Sequence, residues 1–180
     1  FYHHKISTTP YNNGLFLTNT NSAFTSSNIW GSAKPTSTLW TGLVGSLFSA
    51  GEPYIFYSFR GIDGFSKFGK YVGNGSSDGP FIYTGFKPAM VMVKSSSNAA
   101  TNWEIRDNKR SASGSNPITQ VLYPNLNSQE YTTDNCDFLA NGFKWRSSGG
   151  NRNETGYTYI YMAFAEHPFV GDGTNPVTAR

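Results

Sequence analysis

A six-residue aromatic run occurs twice in this chain, and that repeat constrains the fold more than any other feature. Tyr54-Ile55-Phe56-Tyr57-Ser58-Phe59 returns as Tyr159-Ile160-Tyr161-Met162-Ala163-Phe164, an offset of 105 positions. Trp40 and Trp145 keep the offset, Leu17 falls opposite Leu122, and with one gap Asn21-Ser22 falls opposite Asn127-Ser128. Phe1-Tyr2-His3-His4-Lys5 stands roughly opposite Ile105-Arg106-Asp107-Asn108-Lys109. Such a period is too long for a solenoid unit and fits a whole domain. The repeat predicts tandem domains: residues 1–60 as the C-terminal half of a preceding, similar β-domain, and residues 61–180 as a complete one with a short C-terminal tail. On this reading the sequence is a piece of a longer chain, with no secretory leader near Phe1.

The two copies have the same local character. In Tyr54 to Phe59 alternate residues point to opposite sides of an extended chain, and both sides are largely apolar. That pattern predicts a central strand covered on both faces, and Tyr159 to Phe164 predicts the same. Further strands are expected at Leu15-Phe16-Leu17, Phe81-Ile82-Tyr83-Thr84, Pro88 to Lys94, Trp103-Glu104-Ile105-Arg106, Phe138-Leu139 and Gly142-Phe143-Lys144-Trp145. Each is short, rich in β-formers and bounded by Gly, Ser, Asn or Pro. Asn141-Gly142 is the strongest hairpin signal. Gly64-Phe65-Ser66-Lys67-Phe68-Gly69 reads as a turn between domains, with Phe65 and Phe68 packed into the seam. With no helical period anywhere, the fold class is all-β with negligible helix: antiparallel β-sandwich domains of jelly-roll, concanavalin-like type, in tandem.

Composition supports that class and narrows the functions. Charged residues make up 14% and aromatics 16% of the chain, too aromatic for disorder. No apolar stretch is long enough for a helix to cross a membrane, so no membrane insertion is expected. The net charge is only +3. Lys and Arg are scattered, and a nucleic-acid surface needs a denser basic stripe with stacking rings, so no nucleic acid is expected. The single Cys136 cannot form an internal disulfide and reads as a buried spectator thiol.

Longer motifs carry a resemblance. Gly64-Phe65-Ser66-Lys67-Phe68-Gly69, Tyr71-Val72-Gly73-Asn74-Gly75 and Asp78 through Pro88 resemble a domain of unknown function found near the C-termini of tailed-bacteriophage virion proteins, many from marine phages. The resemblance continues through Asn102-Trp103-Glu104-Ile105, Asp107 to Arg110, Asp137 to Lys144 and Thr158 to Phe169, and to a tail ending in Ala179-Arg180. The N-terminal part resembles the end of a related domain that often precedes it, through Tyr2-His3, Leu15-Phe16-Leu17, Trp30, Pro35-Thr36-Ser37 and Tyr54 to Tyr57. The resemblance implies a protein on the exterior of a phage particle, a lectin-like or glucanase-like sandwich, and other virion proteins as partners. By analogy with fibres it implies a homotrimer. It implies no catalytic residue and no cofactor.

The residues themselves point to binding more than to reaction. Sugar hydrolysis needs paired carboxylates, but Glu104 and Asp107 face opposite sides of a strand. Glu166, at the end of a central strand, has Gly61 as its counterpart in the first copy. Adjacent His3-His4 would not chelate together, and Asp78-Gly79 and Asp172-Gly173 offer isolated oxygens, so neither a metal nor a catalytic site is expected. Gly64 to Gly69 lacks the Gly-Lys-Ser/Thr ending of a phosphate loop. A carbohydrate or partner site can be composed from Trp103, Trp145 and Tyr157 as platforms with Asn102, Arg146, Asn151 and Arg152 at the rim. Against this, Trp145 repeats Trp40, as a core residue would. The expected function is therefore non-enzymatic: a virion structural protein, a tail fibre or appendage displaying loops to a host-surface glycan. The alternatives are a capsid decoration protein clamping neighbouring subunits and a glycan depolymerase. The sequons at Asn74-Gly75-Ser76 and Asn153-Glu154-Thr155 matter only in a secretory host.

Overall fold

A computed structural model describes residues 2–6, 13–17, 21–25, 36, 48–111 and 116–168. Among these residues there are ten β-strands and no helix. Two short strands, β1 (Asn13–Gly14) and β2 (Phe24–Thr25), pair with each other. The others form two four-stranded antiparallel sheets. The first has the order β3 (Ser66–Val72), β10 (Thr158–Ala165), β5 (Pro88–Ser95), β6 (Glu104–Asp107). The second has the order β4 (Phe81–Tyr83), β9 (Gly142–Trp145), β8 (Tyr131–Leu139), β7 (Ile118–Val121). Ile105 and Leu122 exchange backbone hydrogen bonds of 2.9 and 3.1 Å, so the chain leaving β7 stitches the second sheet to β6 at the edge of the first.

Strand β10 is the axis of this arrangement. Its alternation sends Tyr161 and Ala163 into a core shared by both sheets, with Val91 and Val93 of β5, Ile82, Ile118, Phe138, Phe143 and Trp145. The intervening Ile160 and Met162 enter a second cluster on the opposite face, with Met92, Trp103 and Leu15. The expectation that Tyr159 to Phe164 is a central strand covered on both sides holds. Its second cover is the N-terminal segment: Leu15 is completely buried there, and Ile6 and Ala23 pack beside it. Residues before position 60 thus help to bury the outer face of a sheet built after position 60. Each aliphatic side chain so buried contributes about 1.5–3 kcal/mol.

The first copy of the run behaves differently. Tyr54 to Phe59 belongs to no strand and is exposed along its length, with Ile55 and Tyr57 each at 82%. The expected central strand is therefore absent there, because a strand is defined by neighbours and none among the described residues lies alongside. Leu15-Phe16-Leu17 is likewise not a strand: the ladder is one step earlier, at Asn13–Gly14, and Leu15 serves as an anchor. Ser66 to Gly69 is not an interdomain turn but the start of edge strand β3, whose Phe68 packs against the second cluster. Strand β7 and most of β8 were not expected; their Thr, Gln and Asn content hides the alternation. Trp30, Pro35, Ser37, Trp40 and the Ala179-Arg180 tail lie outside the described residues.

The predicted hairpin joins β8 to β9, one residue out of place. Ala140 and Asn141 form the turn, Leu139 pairs with Gly142, and Gly142 begins β9. Glycine is required for close approach: a Cβ at Gly142 would collide with the carbonyl oxygen of Ile82 on β4. Cys136 is buried and free, as expected, and burial pushes its thiol up to about 12.

His3 pins the N-terminal cover. Its Nδ1 accepts the Lys5 backbone N–H (3.2 Å), so the ring proton lies on Nε2 and is donated to the Tyr161 carbonyl on β10 (3.1 Å). Burial, then the adjacent His4, lower its pKa from 6.5 to about 4, with Lys5 adding a smaller push. Between those two values the unfolded chain binds more protons than the folded one. Stability from this residue is therefore whole above pH 6.5 and is lost as pH falls toward 4, on the order of 3 kcal/mol in total. We predict that thermal unfolding of the wild type falls more steeply from pH 7 to pH 4.5 than that of His3→Gln, which keeps a donor for Tyr161. Parallel slopes would refute the assignment.

Candidate functional site

The most polar part of the interior lies under the loops that follow β9 and precede β6. Glu104, Arg106 and Arg152 are all but completely buried. The Arg152 Nε–H donates to both carboxylate oxygens of Glu104 (3.0 and 2.9 Å). The Arg106 Nε–H donates to Oε1 (2.7 Å), and its Nη1 donates to the Ile118 carbonyl (3.0 Å). Two guanidinium groups against one carboxylate leave a positive excess. Trp145 faces both, with its ring centroid 5.5 Å from Cζ of Arg106 and 6.0 Å from Cζ of Arg152, so its π-face takes up part of that charge. The indole N–H of Trp145 donates to Tyr71 Oη (2.8 Å), and the Tyr71 hydroxyl donates to the Arg152 carbonyl (2.7 Å). One chain of contacts thus ties β6, β9 and β3 to the loop at 147–157.

Other buried groups fasten the same loops. Asn153 is fully buried and accepts the Asn74 backbone N–H at 2.9 Å. Its amide lies within donor reach of Asn74 Oδ1 and of the Ser76 and Ser147 carbonyls. The two sequons therefore meet, and the Asn153 nitrogen is inaccessible to a modifying enzyme in the folded chain. Tyr159 donates its hydroxyl proton to the Gly150 carbonyl at 2.7 Å. On the other side, Lys94 Nζ holds the Thr101 carbonyl and hydroxyl, both at 2.8 Å, and its burial pushes its pKa down to about 8.

On this base stands a cluster of amides. Asn151 Oδ1 accepts the Asn102 backbone N–H (2.9 Å). The Asn125 amide donates to Asn102 Oδ1 (2.8 Å), while Asn125 Oδ1 accepts the Trp103 backbone N–H (2.9 Å). Tyr123 meets the Asn151 side chain, and burial, then Glu104, raise the pKa of its hydroxyl. Its ring centroid lies 5.7 Å from that of Tyr131, which is exposed. Three half-buried asparagines and two tyrosines thus form a hydrogen-bonding rim beside an aromatic face.

The predicted residues divide accordingly. Asn102, Asn151 and Arg152 are brought together, although the side-chain Nε–H of Arg152 is directed at Glu104. Trp103 and Trp145 are not platforms: each is 1% exposed. Trp103 is sealed by the N-terminal segment, with its indole N–H donated to the Phe16 carbonyl (2.9 Å), and Trp145 serves the buried guanidinium groups. Arg146 stands apart in an exposed charge cluster, donating to Asp137 (2.6 Å) and lying 3.5 Å from Asp78. Lys144, then Arg146, hold the carboxyl of Asp78 below its usual range. Tyr157 is half-buried at the base of the 147–157 loop, and its carbonyl accepts the Gly73 N–H (2.9 Å). Sequence reasoning missed Tyr123, Asn125 and Tyr131, which sit in a stretch with no strand pattern. Glu104, weighed as an acid for hydrolysis, is a buried counter-ion. Glu166 is held ionised by Lys87 (2.7 Å) and accepts a hydrogen bond from Asn108. Among the described residues, no group of three or more His, Cys, Asp or Glu could hold a metal ion.

A family model described as a domain of unknown function (DUF7483) matches residues 1–168, on both sides of position 60. No curated protein matches the chain, and no solved structure does.

Removing the Glu104 charge strands two buried guanidinium groups. Glu104→Gln, close in volume, is predicted to cost about 3–5 kcal/mol in denaturant unfolding. A loss below about 1 kcal/mol would mean that water reaches the cluster.

Proposed function

This chain belongs to the DUF7483 family, and from that premise we propose that it is a non-enzymatic structural protein of a phage particle, a tail-fibre or appendage domain that displays loops to a host-surface glycan. The two sheets are read as one β-sandwich of jelly-roll, concanavalin-like type. The repeat of the Tyr54–Phe59 sequence in β10 is what supports a tandem arrangement with residues 1–60 as the end of a preceding unit, whereas Leu15 packs into the same core as β10. The observation that carries the attachment reading is the loop cluster of Asn102, Asn125 and Asn151 beside Tyr123 and Tyr131. Amides supply both donors and acceptors to sugar hydroxyls, and a tyrosine face suits the apolar side of a sugar ring. The cluster replaces the tryptophan platforms as the binding surface. Its geometry is held from below by the Glu104 ion cluster, so a ligand need not order the loops. Repetition on an oligomer, a homotrimer by analogy with fibres, multiplies weak contacts.

A second reading, capsid decoration, is favoured by apolar surface away from that cluster. Phe81 and Tyr83 of β4 and Val72 of β3 are exposed, as expected of a protein that clamps neighbouring virion subunits.

Localising the chain on intact particles by cryo-electron microscopy separates the two. Density on a tail appendage is the expected result. Density spread over capsid subunits would overturn the attachment reading. On a glycan array, Tyr131→Ala and Asn151→Ala are each predicted to weaken the strongest binding roughly tenfold, whereas Arg146→Ala leaves it unchanged. Equal binding by all three variants would remove the cluster from the site.

A further inference from the structure

We propose that the cluster of Asn102, Asn125, Asn151, Tyr123 and Tyr131 takes a neutral acetamido sugar, whose substituent carries a carbonyl oxygen and a methyl group. The inference rests on the attachment reading and names the ligand class of that same site. It follows from which ends of the asparagine side chains are still open.

Two backbone N–H groups fix the amides. A backbone N–H can only donate, so the side-chain atom it meets is an oxygen. The Asn102 N–H ends on Asn151 Oδ1 (2.9 Å), and the Trp103 N–H ends on Asn125 Oδ1 (2.9 Å). Asn125 therefore turns its nitrogen to Asn102, and Nδ2 donates to Asn102 Oδ1 (2.8 Å). All three side-chain carbonyls are thus engaged from within. Asn102 Nδ2 donates to no described residue, and its side chain is only half-buried. Tyr123 adds a second donor. Burial, then Glu104, raise its pKa, so the hydroxyl keeps its proton, while the Asn151 side chain acts on its oxygen as a donor. The open groups are donors, and a ligand must bring acceptors to them.

Charge decides which acceptor. Arg110 pairs with Asp107 and with Glu130 (2.9 Å), and its Nη2 donates to the Ile105 carbonyl (3.2 Å). This group sets two carboxylates against one guanidinium. It stands beside the tyrosines, since Glu130 precedes Tyr131 and Ile105 is bridged to Leu122, the neighbour of Tyr123. Its net negative charge opposes a carboxylate or sulfate on the sugar. A neutral carbonyl oxygen meets the donors without that penalty. The methyl group beside it meets the aromatic face of Tyr131, which is exposed and lies 5.7 Å from Tyr123 between ring centroids. A plain hydroxyl in that place brings no apolar part. A free amino group brings donors to a rim that already presents them.

The test is calorimetric titration of the full chain with β-linked glucose oligomers that differ only at carbon 2, bearing an acetamido, an amino or a hydroxyl group. The acetamido oligomer should bind about tenfold more tightly than either of the others. Asn102→Asp keeps the acceptor for Asn125 and removes the open donor, and Tyr123→Phe removes the second donor. Each should lower the affinity for the acetamido oligomer about tenfold and leave little difference among the oligomers. Equal or tighter binding of the amino or hydroxyl oligomer overturns the inference, and its loss in Tyr131→Ala would still leave the attachment reading standing. An acetamido preference that both variants keep also overturns it, as does a preference for acidic sugars on the glycan array. Binding of no glycan at all overturns both.

Discussion

Everything in this structure is organised by a strand that needs cover on both faces. β10 carries apolar side chains on each side, so one sheet packed against it is not enough. The second sheet covers the face of Tyr161 and Ala163. The N-terminal segment covers the face of Ile160 and Met162 through Leu15, which packs there beside Trp103. Leaving either face wet would expose several large side chains, each worth about 1.5–3 kcal/mol when buried. The described residues of the N-terminal segment, Leu15 above all, are therefore part of the fold's energetic core.

The same demand explains the charged interior. Where β6 meets β9 the core is filled by Glu104, Arg106, Arg152 and the Trp145 ring. A buried ion cluster is weak as a source of net stability but severe when one member is lost. Its value here is positional. Arg152 sits inside the loop at 147–157, between Asn151 and Asn153, and Glu104 stands two residues from Asn102. The loops that form the candidate surface thus have their roots in contacts that tolerate little displacement.

Much of this was legible in the sequence. The all-β class, the two-faced Tyr159–Phe164 strand, strands β4, β5, β6 and β9, and the hairpin near Asn141 all follow from alternation and turn residues. Those are local properties. Strands β7 and β8 were hard to read because Thr119, Gln120, Thr132 and Thr133 break the apolar pattern. Among the candidate site residues, Asn102 and Asn151 were found because amides next to an aromatic are an obvious polar rim. Tyr123, Asn125 and Tyr131 were missed because nothing local distinguishes a rim tyrosine from any other.

By itself, then, the sequence determined the all-β class and those strands whose apolar faces alternate clearly, β4, β5, β6, β9 and β10, since alternation and turn chemistry act within a few residues. It could not determine which apolar faces find cover. Trp103 and Trp145 looked equally suited to a sugar platform or a core, and only the docking of the N-terminal segment and of two arginines made them core. Tyr54–Phe59 and Tyr159–Phe164 are nearly the same words, yet the second is the centre of a sheet and the first is exposed and belongs to no strand. The difference is physical: a strand's stability resides in its hydrogen-bonded neighbours and facing layers, and those are supplied by residues far away in the chain.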